Sequence, residues 1–266
     1  MFTWMRKINK RLMTKLKNTG KKSLVVYFVL RALIIFCMIL TFIRKDYNST
    51  FLCALSLLLF TLPTLIEDAF QITLPTVLES IIYVFIFSAE ILGEINNFYF
   101  VIPHWDTILH TLNGFLAAGV GFSLVDILNR NSKHVHLSPI FVSIVAFCFS
   151  MTIGVLWEFT EYALDMIIET DAQKDVLVQK ISTVYLDPLQ QNNPVYIHDI
   201  TGVTIHTCTE DIVVSGGYLD VGLHDTMKDM IVNLIGAVCF SVFGYLYILD
   251  RDRYHFIKNF IPKVKM

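Results

Sequence analysis

Long apolar runs alternate with short polar stretches along this chain, and the runs have the length of membrane-spanning helices. A bilayer core of roughly 30 Å needs about 20 apolar residues in helical form, because every backbone amide must be hydrogen-bonded within the segment. The pattern predicts an all-α integral membrane protein, a bundle of about six transmembrane helices. The predicted spans are residues 24–43, 51–66, 77–93, 107–128, 139–165 and 225–249, and Pro63 interrupts the second.

The longest polar stretch, residues 166–224, separates the fifth and sixth spans. It holds eight acidic residues against two lysines. Residues 195–205 and 207–214 have the composition of strands, and Gly202, Gly216 and Gly217 are turn signals. We therefore expect a small lid of mixed, hairpin character rather than an independent domain.

The composition agrees with a chain that lies in lipid. Hydrophobic residues make up 55% and charged residues 17%, whereas soluble domains have about a quarter of their residues charged. This balance excludes a disordered chain and a nucleic-acid-binding protein, so we expect no nucleic-acid partner. Four of the five cysteines fall inside apolar runs, so no disulfide framework is available.

Basic residues are distributed unequally between the two sides of the predicted bundle. The N-terminal segment 1–23 carries eight Lys and Arg and no acid, and the tail 250–266 carries five more. With these ends inside, the inner segments hold 15 Lys and Arg and the outer segments four. The positive-inside rule then predicts cytoplasmic termini, an uncleaved N-terminal anchor and an external 166–224 lid. We expect a bacterial cytoplasmic (inner) membrane as the location.

Four of the predicted helices carry a polar stripe at their outer ends. Residues three, four or seven apart share one face of a helix. In this topology the stripes lie in the outer leaflet, so we expect them to meet in one outward-facing pocket. The stripes are Glu90, Glu94 and Asn97; Asp106, His110 and Asn113; Glu158, Glu161 and Asp165; and Asp225, Asp229 and Asn233.

The expected pocket has far more acidic than basic groups. Its eight carboxyl groups are accompanied by Lys228 and three histidines, and so many carboxylates cannot all stay ionised in a poorly solvated cluster without cations. A divalent metal ion, Zn²⁺, Mn²⁺, Mg²⁺ or Fe²⁺, would neutralise them. The predicted ligands are His110, Glu158, Glu161 and Asp229; the supporting residues are Asp106, Asn113, Asp165, Asn233 and Glu90; and the proton carrier is His224 or Asp225.

Each of these residues also has a structural interpretation. Asp106 and Asp225 stand at helix starts, where a carboxylate caps free amides and interacts favourably with the helix dipole. The four predicted ligands can instead form a buried hydrogen-bond network. Asp165 can be a solvated helix end.

The combined motifs resemble the YjdF-like family of bacterial multipass membrane proteins. The resemblance is carried by His104-Trp-Asp-Thr-Ile-Leu-His110 with Asn113-Gly114, Leu156-Trp-Glu-Phe-Thr-Glu161 with Asp165, Gly216-Gly-Tyr-Leu-Asp220 with Asp225-Thr-Met-Lys-Asp229, and Asn233-Leu-Ile-Gly236. It implies a polytopic inner-membrane protein and no established activity. A looser likeness to VanZ-like membrane proteins transfers no function.

Three functions are compatible with these residues. The first is a metal-dependent membrane hydrolase or transferase that acts on a lipid or envelope-derived substrate. The second is a cation-coupled or proton-coupled transporter, although the one-sided cluster and the lack of a repeat argue against it. The third is a non-catalytic scaffold or sensor in which a metal holds the lid. The sequence does not decide whether the protein is an enzyme.

Overall fold

The computed structural model describes residues 21–132 and 136–264, so most of the predicted N-terminal segment 1–23 lies outside the described residues. In chain order the elements are α1 Lys21–Ile43, α2 Tyr47–Leu59, α3 Leu62–Phe70, β1 Ile72–Thr73, α4 Thr76–Ile86, a π-helix Phe87–Ile95, α5 Phe98–Val101, α6 Trp105–Asn131, α7 Pro139–Ile168, β2 Val176–Val178, β3 Ile181–Thr183, β4 Val195–Ile197, β5 Gly202–His206, β6 Asp211–Ser215, β7 Tyr218–Asp220, α8 Leu223–Leu249, a 3₁₀-helix His255–Asn259 and β8 Lys263–Val264.

Among the described residues, six helical segments are long and apolar enough to cross a membrane, which confirms the predicted fold class. They are Ser23–Ile43, Tyr47–Phe70, Thr76–Ile95, Trp105–Arg130, Pro139–Ile168 and Leu223–Leu249. The second extends further than predicted at both ends. Pro63 lies in the first turn of α3, where a missing N–H breaks no helical hydrogen bond. Large apolar side chains such as Phe36 and Phe51 remain exposed, at 61% and 67%, as expected for lipid-facing surfaces.

The chain divides into two units, one formed by Met1–Ile153 with Val232–Met266 and the other by Gly154–Ile231. In the first unit, α6 packs parallel to α8. Glycines mark the line of contact: Gly114 lies against Asn233, and Gly244 lies against Phe122. A buried cluster fills the space beside this contact, with Ala118, Phe122, Val142, Ala146 and Phe240 all fully buried.

A second cluster in the same unit joins α1, α2 and α4. Aromatic rings form its centre: the ring centroids of Tyr27 and Tyr83 are 5.1 Å apart, and those of Phe60 and Tyr83 are stacked at 5.0 Å. Ile34 and Cys53 are fully buried beside them. The three helices are thereby held as one packed group.

The C-terminal segment of the first unit folds back into its own core. Ile257 of the 3₁₀-helix and Ile261 are buried with Phe122 and Phe240, and the ring centroid of Phe260 lies 5.4 Å from that of Phe115 in α6. Strand β8 then pairs antiparallel with β1. The side chains of this non-helical segment are thus packed against the helices of the first unit. Part of the predicted basic tail 250–266 is thus a structural element of the bundle.

The second unit contains the end of α7, three two-stranded antiparallel pairs and the first turns of α8. The pairs are β2 with β7, β3 with β4 and β5 with β6. The β5–β6 pair is a hairpin in which Gly202 is opposite Ser215 and His206 is opposite Asp211. The mixed, hairpin character predicted for residues 166–224 is therefore present.

Candidate metal site

The first turns of α6 bring a carboxylate and an imidazole together. Nε2 of His110 lies 3.3 Å from Oδ1 of Asp106, and the two side chains are 12% and 24% exposed. They are four residues apart and therefore share one face of the helix. Asp106 also lies in the first turn, where its negative charge is favoured by the helix dipole.

Directly beyond this pair, α6 and α8 approach until their backbones touch. A Cβ added at Gly114 would overlap the carbonyl oxygen of Asn233, and one added at Gly236 would overlap the carbonyl oxygen of Thr111. Small residues of this kind permit close packing of membrane helices. The hydroxyl of Ser150 in α7 also donates to the carbonyl oxygen of Gly114 at 2.7 Å.

Two asparagines lie at the same contact. Nδ2 of Asn113 donates to Oδ1 of Asn233 at 3.3 Å, and Nδ2 of Asn233 lies 3.7 Å from Sδ of Met151. Asn233 is 1% exposed, so its side-chain position is fixed by these partners. Since α8 is continuous from Leu223 to Leu249, Asp229 stands on the same stripe, one turn earlier than Asn233.

Asp106, His110 and Asp229 form a group that can hold a metal ion. Each offers one ligand atom, and these atoms lie within 4.8 Å of one another. Asp229 is 2% exposed. One imidazole nitrogen and two carboxylate oxygens suit Zn²⁺, Mn²⁺ or Fe²⁺, and Mg²⁺ less well because it prefers oxygen ligands. Three protein ligands leave a coordination position for water or substrate.

The sequence placed Asp106 among the supporting residues and predicted Glu158 and Glu161 as ligands. Glu158 is 5% exposed in α7, and Oε1 of Glu161 accepts a hydrogen bond from Nε1 of Trp157 at 2.8 Å. Within the described part of the chain, the group with metal-site spacing contains neither glutamate. Their role as ligands stays a prediction.

Asp165 and Asp225 use their carboxylates to hold the 166–224 segment. Asp165 accepts the backbone N–H groups of Ala172 and Gln173, at 2.6 and 2.9 Å. Asp225 accepts the backbone N–H of Lys174 at 2.9 Å. Because backbone amides bond to both acids at the membrane-helix ends, these acids anchor the intervening loop.

His224 and Lys228 flank this end of α8. His224 is exposed, and its backbone N–H donates to Oδ2 of Asp220 at 2.8 Å, which leaves the imidazole outside that hydrogen bond. Nζ of Lys228 lies 3.4 Å from Oδ1 of Asp225 and 3.6 Å from Oδ1 of Asp229. One ammonium group thus lies near two carboxylates and offsets only part of their negative charge.

The predicted Glu90 stripe does not follow ordinary helical spacing. Glu90 and Glu94 lie in the π-helix Phe87–Ile95, where hydrogen bonds join residues five apart rather than four. Asn97 follows it with φ of 57°. The 3.6-residue spacing used to place these three residues on one face therefore does not apply, and the supporting role of Glu90 stays a prediction.

A second buried polar cluster was missed by the sequence argument. The carboxylate of Glu79 in α4 accepts hydrogen bonds from the hydroxyls of Ser23 and Tyr83, at 3.2 and 3.1 Å. Glu67 in α3 accepts the backbone N–H of Leu74 at 2.7 Å. Both glutamates are almost completely buried. The i, i+4 spacing of Glu79 and Tyr83 was the available signal, but Glu79 resembles an ordinary helix-start acid.

Six helical spans, with a cluster of ionisable residues in the first two turns of α6 and α8, define a polytopic membrane protein with a candidate metal site. Residues 26–250 match the family described as predicted membrane protein, DUF2238. The match covers most of the chain, so the chain belongs to this family, in agreement with the resemblance to YjdF-like proteins. No curated protein and no solved structure matches the chain significantly.

Proposed function

We propose that this protein is an outward-facing, metal-dependent membrane hydrolase or transferase for a lipid or envelope-derived substrate. One observation carries the proposal: Asp106, His110 and Asp229 offer three ligand atoms within 4.8 Å of one another. Ionisable residues inside membrane helices are expensive to insert and are therefore functional candidates. A three-ligand set with an open position is also typical of catalytic rather than structural metal sites.

A divalent ion in this group would supply a water of lowered pKa as a nucleophile. The protein supplies the arrangement around it. The Asn113–Asn233 pair offers amide groups that can orient a polar substrate group. Of the two predicted proton carriers, His224 is the better candidate, since Asp225 already accepts bonds from the backbone of Lys174 and from Nζ of Lys228.

The proposed orientation places the starts of α6 and α8 outside and both termini in the cytoplasm of a bacterial inner membrane. Cationic residues at the opposite ends of these helices support it. Arg130 lies in the last turn of α6, and Arg251, Arg253, Lys258 and Lys263 follow α8. Segments near the ends of membrane spans that are rich in Lys and Arg usually lie on the cytoplasmic side of the membrane.

Transport is less well supported by the packing. Next to the α6–α8 contact, the first unit is filled by the fully buried side chains Ala118, Phe122 and Phe240. A hydrated path along this contact would have to displace these aromatic rings. The second candidate function is a non-catalytic scaffold or sensor. It is supported by a different observation: Asp165 and Asp225 hold the 166–224 segment through its backbone amides.

Metal content tests the proposed site directly. Full-length protein purified in detergent is analysed for bound metals and titrated with Mn²⁺ and Zn²⁺. We expect one ion per chain, and at least about tenfold weaker binding in His110→Gln and Asp229→Asn, since each change removes a ligand. His224→Gln and Asp225→Asn are matched controls on the same helix and should keep the ion.

The same titration distinguishes the ligand sets. A Glu158→Gln/Glu161→Gln double variant loses the ion if the predicted glutamates are ligands, and it retains the ion if Asp106, His110 and Asp229 suffice. Equal metal content in His110→Gln and in the unaltered protein would reject the site. An activity assay on lipid and envelope-derived substrates, with and without the metal ion, distinguishes an enzyme from a metal-stabilised scaffold. Hydrolysis that requires the ion indicates an enzyme.

A further inference from the structure

At the opposite end of α6, one buried carboxylate binds two arginines. Asp126 is fully buried. Its Oδ2 lies 2.7 Å from Nη2 of Arg130, and its Oδ1 accepts a hydrogen bond from Nη2 of Arg251 at 2.8 Å. Among the described residues, these arginines form ion pairs with Asp126 alone. One negative charge therefore faces two positive charges, and the cluster has a net charge of about +1.

The two guanidinium groups are held in position but are not closed off. Arg251 lies over the ring of Tyr247 at 4.8 Å, and this ring belongs to the buried core of the unit. The side chains of Arg130 and Arg251 are nevertheless 48% and 32% exposed. A guanidinium has five N–H donors, and Asp126 takes one or two from each arginine. Arg251 also forms a side-chain hydrogen bond with Tyr247, and the remaining donors can serve a ligand on the exposed side.

The cluster lies where a membrane presents phosphate groups. Arg130 is the last residue of the span Trp105–Arg130, and Arg251 follows the span Leu223–Leu249 by two residues. The ends of such spans are at the level of the lipid headgroups. Arginine recognises phosphate with paired, directional hydrogen bonds, and basic pockets between membrane helices bind anionic headgroups.

We propose that Arg130 and Arg251 together bind a phosphate group, that of an anionic phospholipid, while Asp126 positions both guanidinium groups. The site is distinct from the candidate metal site and does not depend on the proposed enzyme activity. It also does not depend on the orientation of the chain, since phospholipid phosphates lie at both membrane surfaces. Asp126 is a positioning residue, because the arginines stand between it and the ligand.

Native mass spectrometry of the full-length protein in detergent, with equal amounts of phosphatidylglycerol and phosphatidylcholine, measures this binding. We expect a retained phosphatidylglycerol and at least about tenfold weaker retention in Arg130→Gln and Arg251→Gln, since each loses charge-assisted hydrogen bonds. Arg253→Gln is the matched control: it removes an equal charge from a neighbouring residue that lies against Tyr254 rather than Asp126. Equal losses in the control and in Arg130→Gln would overturn the proposal.

Two further variants separate a built site from general attraction between charges. Asp126→Asn raises the local positive charge, so simple attraction predicts tighter lipid binding, whereas the loss of positioning predicts weaker binding. Arg130→Lys keeps both the charge and a partner for Asp126, and we expect it to weaken retention because lysine lacks the paired donors. Unchanged retention in Arg130→Lys contradicts the proposal even if Asp126→Asn does not fold. If inorganic phosphate at millimolar concentration displaces the lipid, the site binds free phosphate, and the proposal of a phospholipid ligand is overturned.

Discussion

Nζ of Lys228 lies 3.6 Å from Oδ1 of Asp229, the buried carboxylate of the candidate metal group, and 3.4 Å from Oδ1 of Asp225. The ammonium group of Lys228 therefore lies at the edge of the candidate metal site. An ammonium group next to a ligand oxygen repels an incoming divalent ion and competes with it for that oxygen.

Replacing Lys228 should strengthen metal binding. Lys228→Met removes the charge while keeping an apolar stem, and the side chain is 47% exposed, so solvent screens the interaction. On the scale of about 1 kcal/mol for such a pair, we expect Mn²⁺ or Zn²⁺ affinity to increase by roughly three- to tenfold, measured by titration of detergent-purified protein. Lys174→Met, which changes a lysine whose ammonium group bonds to the carbonyl oxygen of Asp171, should leave the affinity unchanged. Weaker binding in Lys228→Met would show that Lys228 organises the site.

Replacing either of two glycines at the α6–α8 contact, Gly114 or Gly236, should lower the stability of the protein. Gly114→Ala and Gly236→Ala each place a methyl group on the backbone carbonyl of the facing helix. Overpacking typically costs about 1–3 kcal/mol, and we expect the upper part of that range because backbone cannot move aside. Gly119→Ala is the control, since its new Cβ meets the edge of the Phe240 ring at 3.0 Å, which can shift slightly. Thermal unfolding in detergent, followed by size-exclusion chromatography, measures the difference, and equal losses at all three positions would contradict it.

The parts of this structure that follow from hydrophobicity were predictable, and those that follow from long-range packing were not. Long apolar runs identified six spans because a helix must satisfy its own backbone in lipid. The Asp106–His110 pair was also accessible, since i, i+4 spacing is a local property. The return of Ile257 and Ile261 into the core left no periodic signal in a short, basic segment. The π-helix at Glu90 changed the spacing on which a stripe depends, and sequence does not specify it.

Two aspartates in the 166–224 segment should respond to pH with opposite sign. The backbone N–H of Asn193, followed by those of Leu189 and Gln191, lowers the pKa of Asp187 below its usual value near 3.8. Its contribution to stability is therefore present above that value and is lost as the pH falls through the lower, folded-state pKa. Partial burial, followed by the charges of Asp171, Asp220 and Asp165, raises the pKa of Asp175. Its ionisation destabilises the folded form as the pH rises from 3.8 through the higher pKa.

The two substitutions to asparagine test this pair at neutral pH. Asp187→Asn should destabilise the segment, because an amide oxygen accepts backbone hydrogen bonds less strongly than a carboxylate does, whereas Asp175→Asn should stabilise it. Hydrogen exchange of residues 166–224 at pH 7 and in acid measures both effects, and both differences should shrink as the pH falls. A destabilising Asp175→Asn would show that the charges of Asp171 and Asp220 do not act on Asp175. A stabilising Asp187→Asn would show that the backbone hydrogen bonds do not favour its carboxylate.

The folded-back C-terminal segment should contribute to the stability of the bundle in proportion to what it buries. Ile257 is fully buried among Phe122, Val142 and Phe240, so Ile257→Ala leaves a cavity between helices and should cost about 2–5 kcal/mol. Phe256→Ala is the control at the adjacent position. It removes a larger side chain, but because that side chain is 43% exposed, we expect the substitution to cost clearly less. Thermal unfolding of the two full-length variants in the same detergent measures the contrast. A larger loss for Phe256→Ala would mean that the segment is held by its outer face, and that lipid or detergent rather than the core of the bundle fixes its position.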